Sequence, residues 1–284
     1  MTASIEAARR FYAEELRFRT HMSSSALFDA FATVPRERFV GPGPWRIKNW
    51  GKFWITDDAD PRHVYHDMLI ELDEAKGINN GQPSLWALFL DQLGVRANDQ
   101  VLHLGCGTGY YTAILGELAG PQGKVTAIDI DEGMAERARI ALAPWPQVNV
   151  VHGDGSRGPF EPADAIVVSA GGTHPLPSWL AALKPGGKLL FPLTSTAGPG
   201  AMALLTRTSA DRFDARLHFG AYFIGFHGAR DPEASRQLNE ALKRDRGKNV
   251  RSLRCDAHEK DTTCWLHGQG WCFSTLDPLQ TESA

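Results

Sequence analysis

Apolar residues recur at helical spacing at the start of the chain. Ile5, Ala8, Tyr12 and Leu16 line one stripe, and Ala26, Leu27, Ala30 and Phe31 line another, predicting a packed helical cap over residues 3–35. VPRERFVGPGPW (34–45), with its prolines and glycines, closes that region. A loop-rich stretch to residue 76 follows, where Trp50 and Trp54 read as packing residues. GINNGQPSLW (77–86) reads as a turn feeding a helix. Pro83 suits a first helical turn, Trp86, Phe89, Leu90 and Leu93 repeat at helical spacing, and Gly94 is a stop.

From residue 83 to 226 strand and helix patterns alternate. QVLHL (100–104), KVTAIDI (124–130), VNVVHG (148–153), AIVVSA (165–170) and KLLFPL (188–193) read as buried strands. TAILGELAG (112–120), GMAERARIAL (133–142) and SWLAALKPGG (178–187) read as helices between them. AMALLTRTS (201–209) and RLHFGAYFIGF (216–226) read as a closing strand pair. The alternation predicts an α/β fold with a doubly wound, mostly parallel seven-stranded sheet, whose ligands sit at the carboxyl ends of strands. The expected parts are a cap and entry loops (1–76), a ligand-binding domain (77–226) and an extension (227–284). The extension is a charged helix followed by a Cys/His/Trp-rich hairpin.

Composition narrows the classes. A formal charge of −3 gives no electrostatic argument for a nucleic-acid partner, and no apolar run approaches the ~20 residues that span a bilayer. Glu6, Glu14 and Glu15 do not suit a secretory signal, and four cysteines do not make a disulfide scaffold, so the expected compartment is the cytoplasm.

The chemistry concentrates at HLGCGTGY (103–110), which follows a strand and opens a helix. Its glycines, 105, 107 and 109, miss the dinucleotide pattern G-x-G-x-x-G because residue 110 is tyrosine, which argues against a nicotinamide oxidoreductase. Gly105-x-Gly107-x-Gly109 instead resembles the loop of class I S-adenosylmethionine-dependent methyltransferases. Asp129 ends the next strand, where a carboxylate can accept hydrogen bonds from both ribose hydroxyls. Gly153-Asp154-Gly155 follows the third strand. The candidate cofactor residues are His103, Gly105, Cys106, Gly107, Thr108, Gly109, Tyr110, Asp129, Ile130, Gly153, Asp154, Gly155 and Ala170.

VPRERFV, GINNGQP, VLHLGCGTGYYTAIL, HGDGSRG, DAIVVSAGG, HPLPSWLAALKPGGKLLFPL and FIGF occur in an order that resembles the protein-L-isoaspartate O-methyltransferase family, over about residues 24–226. The resemblance implies S-adenosylmethionine as methyl donor and esterification of the carboxylate left when an aspartyl or asparaginyl site isomerises, as in protein repair. It implies that Gly105, Gly107 and Gly109 flank the cofactor, that Asp129 holds the ribose and that Asp154 lies near the adenine. Two positions depart from the family pattern. Gly81 stands where the family usually has serine, and His103 stands where it tends to have a glutamate that helps hold the cofactor's ammonium.

Methyl transfer from a sulfonium to a carboxylate needs no general base, because a carboxylate of pKa about 4 is already ionised at neutral pH. What the protein must supply is orientation and exclusion of water. Asn79, Asn80 and backbone N–H groups near Gly81 are the candidates for orienting the substrate, as a lip over residues 77–84, and a Gly81→Ser variant is expected to keep or gain activity. Thr173 and His174, after the fourth strand, are the other candidate catalytic residues, with Gly171 and Gly172 allowing close approach. If the nucleophile were a hydroxyl or amine, His66, His152 or His174 could act as base. The expected partner is a peptide or protein carrying a carboxylate. The alternatives are a small-molecule substrate and a binding scaffold without turnover.

The extension contains Cys255, His258, Cys264, His267 and Cys272, ligand types that can bind zinc at short spacing. The preferred reading is a hairpin turning around Gly268-Gln269, with Cys264 opposite Cys272, Trp265 paired with Trp271, reduced thiols and no metal.

Overall fold

The computed structural model describes residues 4–49 and 51–278; Trp50 lies outside the described residues. The chain forms two compact units, residues 1–101 with 106–153, and residues 102–105 with 154–284.

The first unit begins with α1 (Ile5–Thr20) and α2 (Ser25–Thr33). Each is capped by a serine, Ser4 and Ser24, whose side chain accepts a backbone N–H of the first turn. Tyr12 and Leu16, and Leu27 and Phe31, are buried as the stripes require. The stretch expected to be loop-rich instead forms a four-stranded antiparallel sheet, β1 (Arg46–Asn49), β2 (Lys52–Ile55), β3 (Leu69–Asp73) and β4 (Ile78–Asn79), in the order β2-β1-β3-β4. The fully buried Arg36 ties down the segment leading into β3, donating to the carbonyls of Val64, His66 and Met68 at 2.7, 2.7 and 2.8 Å. Three unpaired backbone acceptors are thus satisfied by one guanidinium. Helix α3 (Pro83–Leu93) starts on Pro83 and stops at Gly94, whose φ is 68°. Strand β5 (Gln100–Leu104) begins in this unit, which continues with α4 (Tyr110–Ala119), β6 (Lys124–Asp129), α5 (Glu132–Ala141) and β7 (Val148–His152). The strand order is β5-β6-β7, with β6 and β7 parallel.

The second unit takes Leu102–Leu104 of β5, then β8 (Ala163–Val168), α6 (Pro177–Ala182), β9 (Leu183–Leu193), β10 (Gly200–Arg207) and β11 (Arg212–Ala221). β8 and β9 are parallel; β9, β10 and β11 form an antiparallel meander. These seven strands, β5 to β11, are the ones expected, and their alternation with helices gives a Rossmann-like α/β fold. The helix expected to run to residue 187 ends at Ala182, because Leu183 already pairs with Ala163 of β8.

The extension continues the sheet of this unit. Helix α7 (Pro232–Asp245) is followed by β12 (Ser252–Arg254), β13 (Cys264–Gly268) and β14 (Trp271–Ser274), giving the order β13-β14-β12-β11-β10-β9-β8-β5. The expected hairpin is present with a different register. Cys264 pairs with Ser274, His267 with Cys272 and Gly268 with Trp271, so the turn falls on Gln269-Gly270 and the expected Cys–Cys and Trp–Trp pairs do not form.

Candidate functional site

In the first unit the glycine loop is pinned by two acceptors. The Cys106 N–H donates to Ile128 O (3.2 Å), and the Gly107 N–H to Asp129 Oδ2 (2.7 Å). Asp129 Oδ1 accepts the N–H of Asp131 at 2.9 Å. Each carboxylate oxygen keeps lone-pair capacity for another donor. Burial pushes the Asp129 carboxyl above its ordinary value, and the two amide bonds pull the other way. Gly107 (φ 55°) has open space where a Cβ would stand. Gly109 (φ 94°) does not: a Cβ there would lie 2.7 Å from Leu142 Cδ1. Glycine is therefore needed at 107 for its backbone shape and at 109 for shape and room. Cys106 and Thr108 are buried, while Ile130, beside Asp129, is half exposed. The Tyr110 ring is buried toward the helical cap, its hydroxyl 3.4 Å from that of Tyr12, so its side chain is a packing group. Gly153 donates to Asp129 O at 2.9 Å, and a Cβ there would meet only ordinary contacts.

In the second unit His103 is buried and pairs through Nε2 with Ser169 Oγ at 2.8 Å. Burial lowers its pKa to about 3, so the imidazole is neutral. At Gly105 (φ 74°) a Cβ would stand 3.9 Å from Ala170, an ordinary contact, so the positive φ is what calls for glycine there. Asp154 accepts from Ser156 N (2.9 Å) and Oγ (2.7 Å) and pairs with Arg157 at 3.0 Å. Burial alone would raise its pKa; the Ser156 bonds and Arg157 outweigh it and hold the carboxyl low. Gly155 is closely packed: a Cβ would stand 3.1 Å from Phe226 and 3.2 Å from Leu104, so those side chains would have to give way.

The turn ahead of α3 belongs to the first unit. Asn79 Oδ1 accepts the Gly81 N–H at 2.9 Å, so this backbone N–H is engaged within the turn. Asn80 is buried, with Oδ1 accepting the Ile70 N–H at 2.8 Å and Nδ2 left without a partner. Gly81 has φ 77°, and a Cβ there would lie 2.4 Å from Trp86 Nε1 and 3.2 Å from Tyr111 Cε2. Tyr111 also donates its hydroxyl to Gly81 O at 3.2 Å.

Residues 10–229 match the family model for protein-L-isoaspartate(D-aspartate) O-methyltransferase. The chain belongs to this family. It is 30% identical over 227 residues to the protein-L-isoaspartate O-methyltransferase of Methanothermobacter thermautotrophicus, covering 78% of this chain and 96% of that one. It is 36% identical over 212 residues to one from Rhodopseudomonas palustris, covering 72% and 87%. A solved protein-L-isoaspartate O-methyltransferase superposes with a TM-score of 0.65 at 25% identity, over 86% of this chain and 70% of that one. A Plasmodium falciparum structure in complex with S-adenosyl-L-homocysteine shares the fold, with a TM-score of 0.62 at 15% identity.

Membership makes the chain a methyltransferase that uses S-adenosylmethionine. The residues fit that group: the loop backbone at Gly107 is uncovered by side chains, Asp129 has acceptor capacity in reserve, and Ile130 presents apolar surface next to it. No helix among the described residues is long and apolar enough to cross a membrane.

Thr173 and His174, the other expected catalytic residues, both make contacts within the second unit. Thr173 is fully buried, and its hydroxyl contacts Ala229 O (3.3 Å), the Asp231 N–H (3.0 Å) and His174 Nδ1 (3.0 Å), tying down the segment before α7. His174 stacks on Trp271 with centroids 5.6 Å apart, and burial lowers its pKa. Gly171 and Gly172 serve packing, since a Cβ at 171 would lie 2.0 Å from Thr194 Oγ1 and one at 172 would stand 3.1 Å from His174 O. The sequence reading missed Trp86 and Tyr111 as the residues that shape the turn. Their place on one helical stripe, and just after the glycine loop, carried no sign of that role.

Proposed function

We propose that the enzyme esterifies a carboxylate on a peptide, the side carboxylate of an isoaspartyl residue being the preferred one. The observation that carries this reading is Asn80. A buried amide donor without a partner is uncommon and calls for an explanation; a substrate oxygen would supply one for Asn80 Nδ2, in this chain's GINNGQP segment. Its Oδ1 is held by Ile70 N–H, so the donor direction is set before substrate arrives.

Bound S-adenosylmethionine supplies an electrophilic methyl group on a sulfonium. Within the first unit Asp129 would take the ribose hydroxyls, and the backbone at Gly107 and Gly109 would face the cofactor. Asn80 orients an oxygen of the substrate carboxylate, which is ionised without help. No proton has to be removed, so the reaction calls for no base.

A transfer assay with radiolabelled methyl donor tests this on peptides that differ only in isoaspartate against aspartate. The expected product is a methyl ester on the isoaspartyl peptide that releases methanol in mild alkali. Label that resists alkali, or no preference for isoaspartate, would reject it. A second reading is favoured by Gly81 in place of the family's serine with Trp86 filling that space: a carboxylate substrate of different shape.

A further inference from the structure

We infer that the C-terminal extension holds a structural zinc ion on His258, Cys264, His267 and Cys272. One ligand atom from each lies within 4.8 Å of the other three. Cys264 Sγ is 3.7 Å from His258 Nε2 and 3.7 Å from His267 Nδ1. A tetrahedral site with Zn–S of about 2.3 Å and Zn–N of about 2.0–2.1 Å has its vertices about 3.3–3.8 Å apart, so the cluster needs only a small contraction.

The backbone explains how the four meet. Cys264 and His267 are three apart on β13, and in a regular strand residues three apart face opposite sides. The ladder slips between Cys264 and Leu266, as it does at a bulge, which reverses the phase and lets both side chains reach one side. Cys272 is the direct cross-strand partner of His267. His258 arrives from the segment between β12 and β13. The spacing therefore matches no familiar zinc module, and the hairpin register that departs from the expected one is what assembles the ligands. Cys255, the remaining cysteine of the pattern, is outside the cluster.

The surroundings suit a metal. A carbonyl can only accept, so the 2.9 Å contact between His258 Nδ1 and Asp256 O places the proton on Nδ1 and leaves the Nε2 lone pair facing Cys264. The Asp261 N–H points at Cys264 Sγ from 3.4 Å, an amide placed to stabilise a thiolate. Four protein ligands fill a tetrahedral ion, which makes the site structural and closed to substrate. It would fasten the segment after β12 to the hairpin that carries Trp271, on which His174 stacks.

The test uses the full chain, prepared under reducing conditions without chelator. Elemental analysis should find one zinc per chain, and cobalt reconstitution should give the visible absorption of a tetrahedral thiolate site with thiolate-to-cobalt charge transfer. In competition with a zinc-chelating dye, Cys272→Ser and His267→Ala should each weaken zinc binding at least about 100-fold, and Cys255→Ser should leave it unchanged. Substoichiometric zinc after reconstitution with excess metal, a cobalt spectrum without thiolate bands, or full affinity in a Cys264→Ser/Cys272→Ser variant would each overturn the assignment. The wild-type measurements decide the matter even if a variant fails to fold, and none of them depends on methyl transfer.

Discussion

The indole of Trp86 fills the space that a side chain at residue 81 would need: a Cβ on Gly81 would stand 2.4 Å from Trp86 Nε1. Gly81 also lies at φ 77°, where a non-glycine residue costs about 1–2 kcal/mol. Gly81→Ser is therefore expected to lose stability by at least that amount in a denaturant titration and to lose activity as the turn moves. This reverses the expectation drawn from the sequence. Pairing it with Trp86→Ala should recover part of the loss, because the strain is shared between two residues in contact.

That reversal marks the limit of what could be read from the chain. The helices were legible from their apolar period, and most of the strands β5 to β11 as short apolar runs alternating with them, buried along most of their length as in β8 and β10. The sheet β1–β4 was not: its strands have 4, 4, 5 and 2 residues, and every residue of β2 is exposed, so no alternation appears. Pro185-Gly186-Gly187 looked like a helix stop, yet pairing with β8 had already turned the chain into a strand at Leu183. At the site, glycine spacing and Asp129 were visible from sequence. The engagement of Thr173 was not, because Ala229 and Asp231 lie more than fifty residues away along the chain. The cysteine and histidine cluster depends on a one-residue slip in a ladder, which no spacing rule contains.

His103 should make the protein acid-sensitive. Its pKa is about 3 when folded and about 6.5 when unfolded, so between these values the unfolded chain binds the extra proton. Stability then rises with pH across that window and is lost as pH falls, by about 1.4 kcal/mol per unit for this group. Unfolding of His103→Gln, measured at pH 6 and pH 4, should show a correspondingly shallower loss than the unsubstituted protein. Equal slopes would mean that the imidazole is not kept neutral.

Asp129 should govern cofactor affinity. Hydrogen bonds to a charged acceptor are worth about 1.5–3 kcal/mol, so Asp129→Asn should weaken S-adenosylhomocysteine about 10- to 150-fold by calorimetry. Burial raises this carboxyl, so affinity should hold at neutral pH and decline on acidification with a midpoint above the ordinary 3.8. The stability sign is opposite to that of His103. A raised carboxyl favours folding below its ordinary pKa, and that contribution is lost as pH rises through the folded value. An affinity profile that is the same in Asp129→Asn would remove the residue from the site.

Asn80→Asp separates substrate orientation from cofactor binding. The substitution keeps an acceptor for the Ile70 N–H, so the turn retains its bond, and replaces only the unpartnered donor at Nδ2. An anionic substrate would then face a second carboxylate oxygen in place of an amide proton. Losing one charge-assisted hydrogen bond costs about 1.5–3 kcal/mol, and like-charge repulsion adds to it. The expected result is a fall in kcat/KM of at least about 10- to 150-fold on isoaspartyl peptide, with calorimetric affinity for S-adenosylhomocysteine unchanged. Asn80→Ala should lose less at the chemical step, since it removes the donor without setting a like charge against the substrate. Equal activity of Asn80→Asp and the unsubstituted enzyme would show that the carboxylate is oriented by another donor.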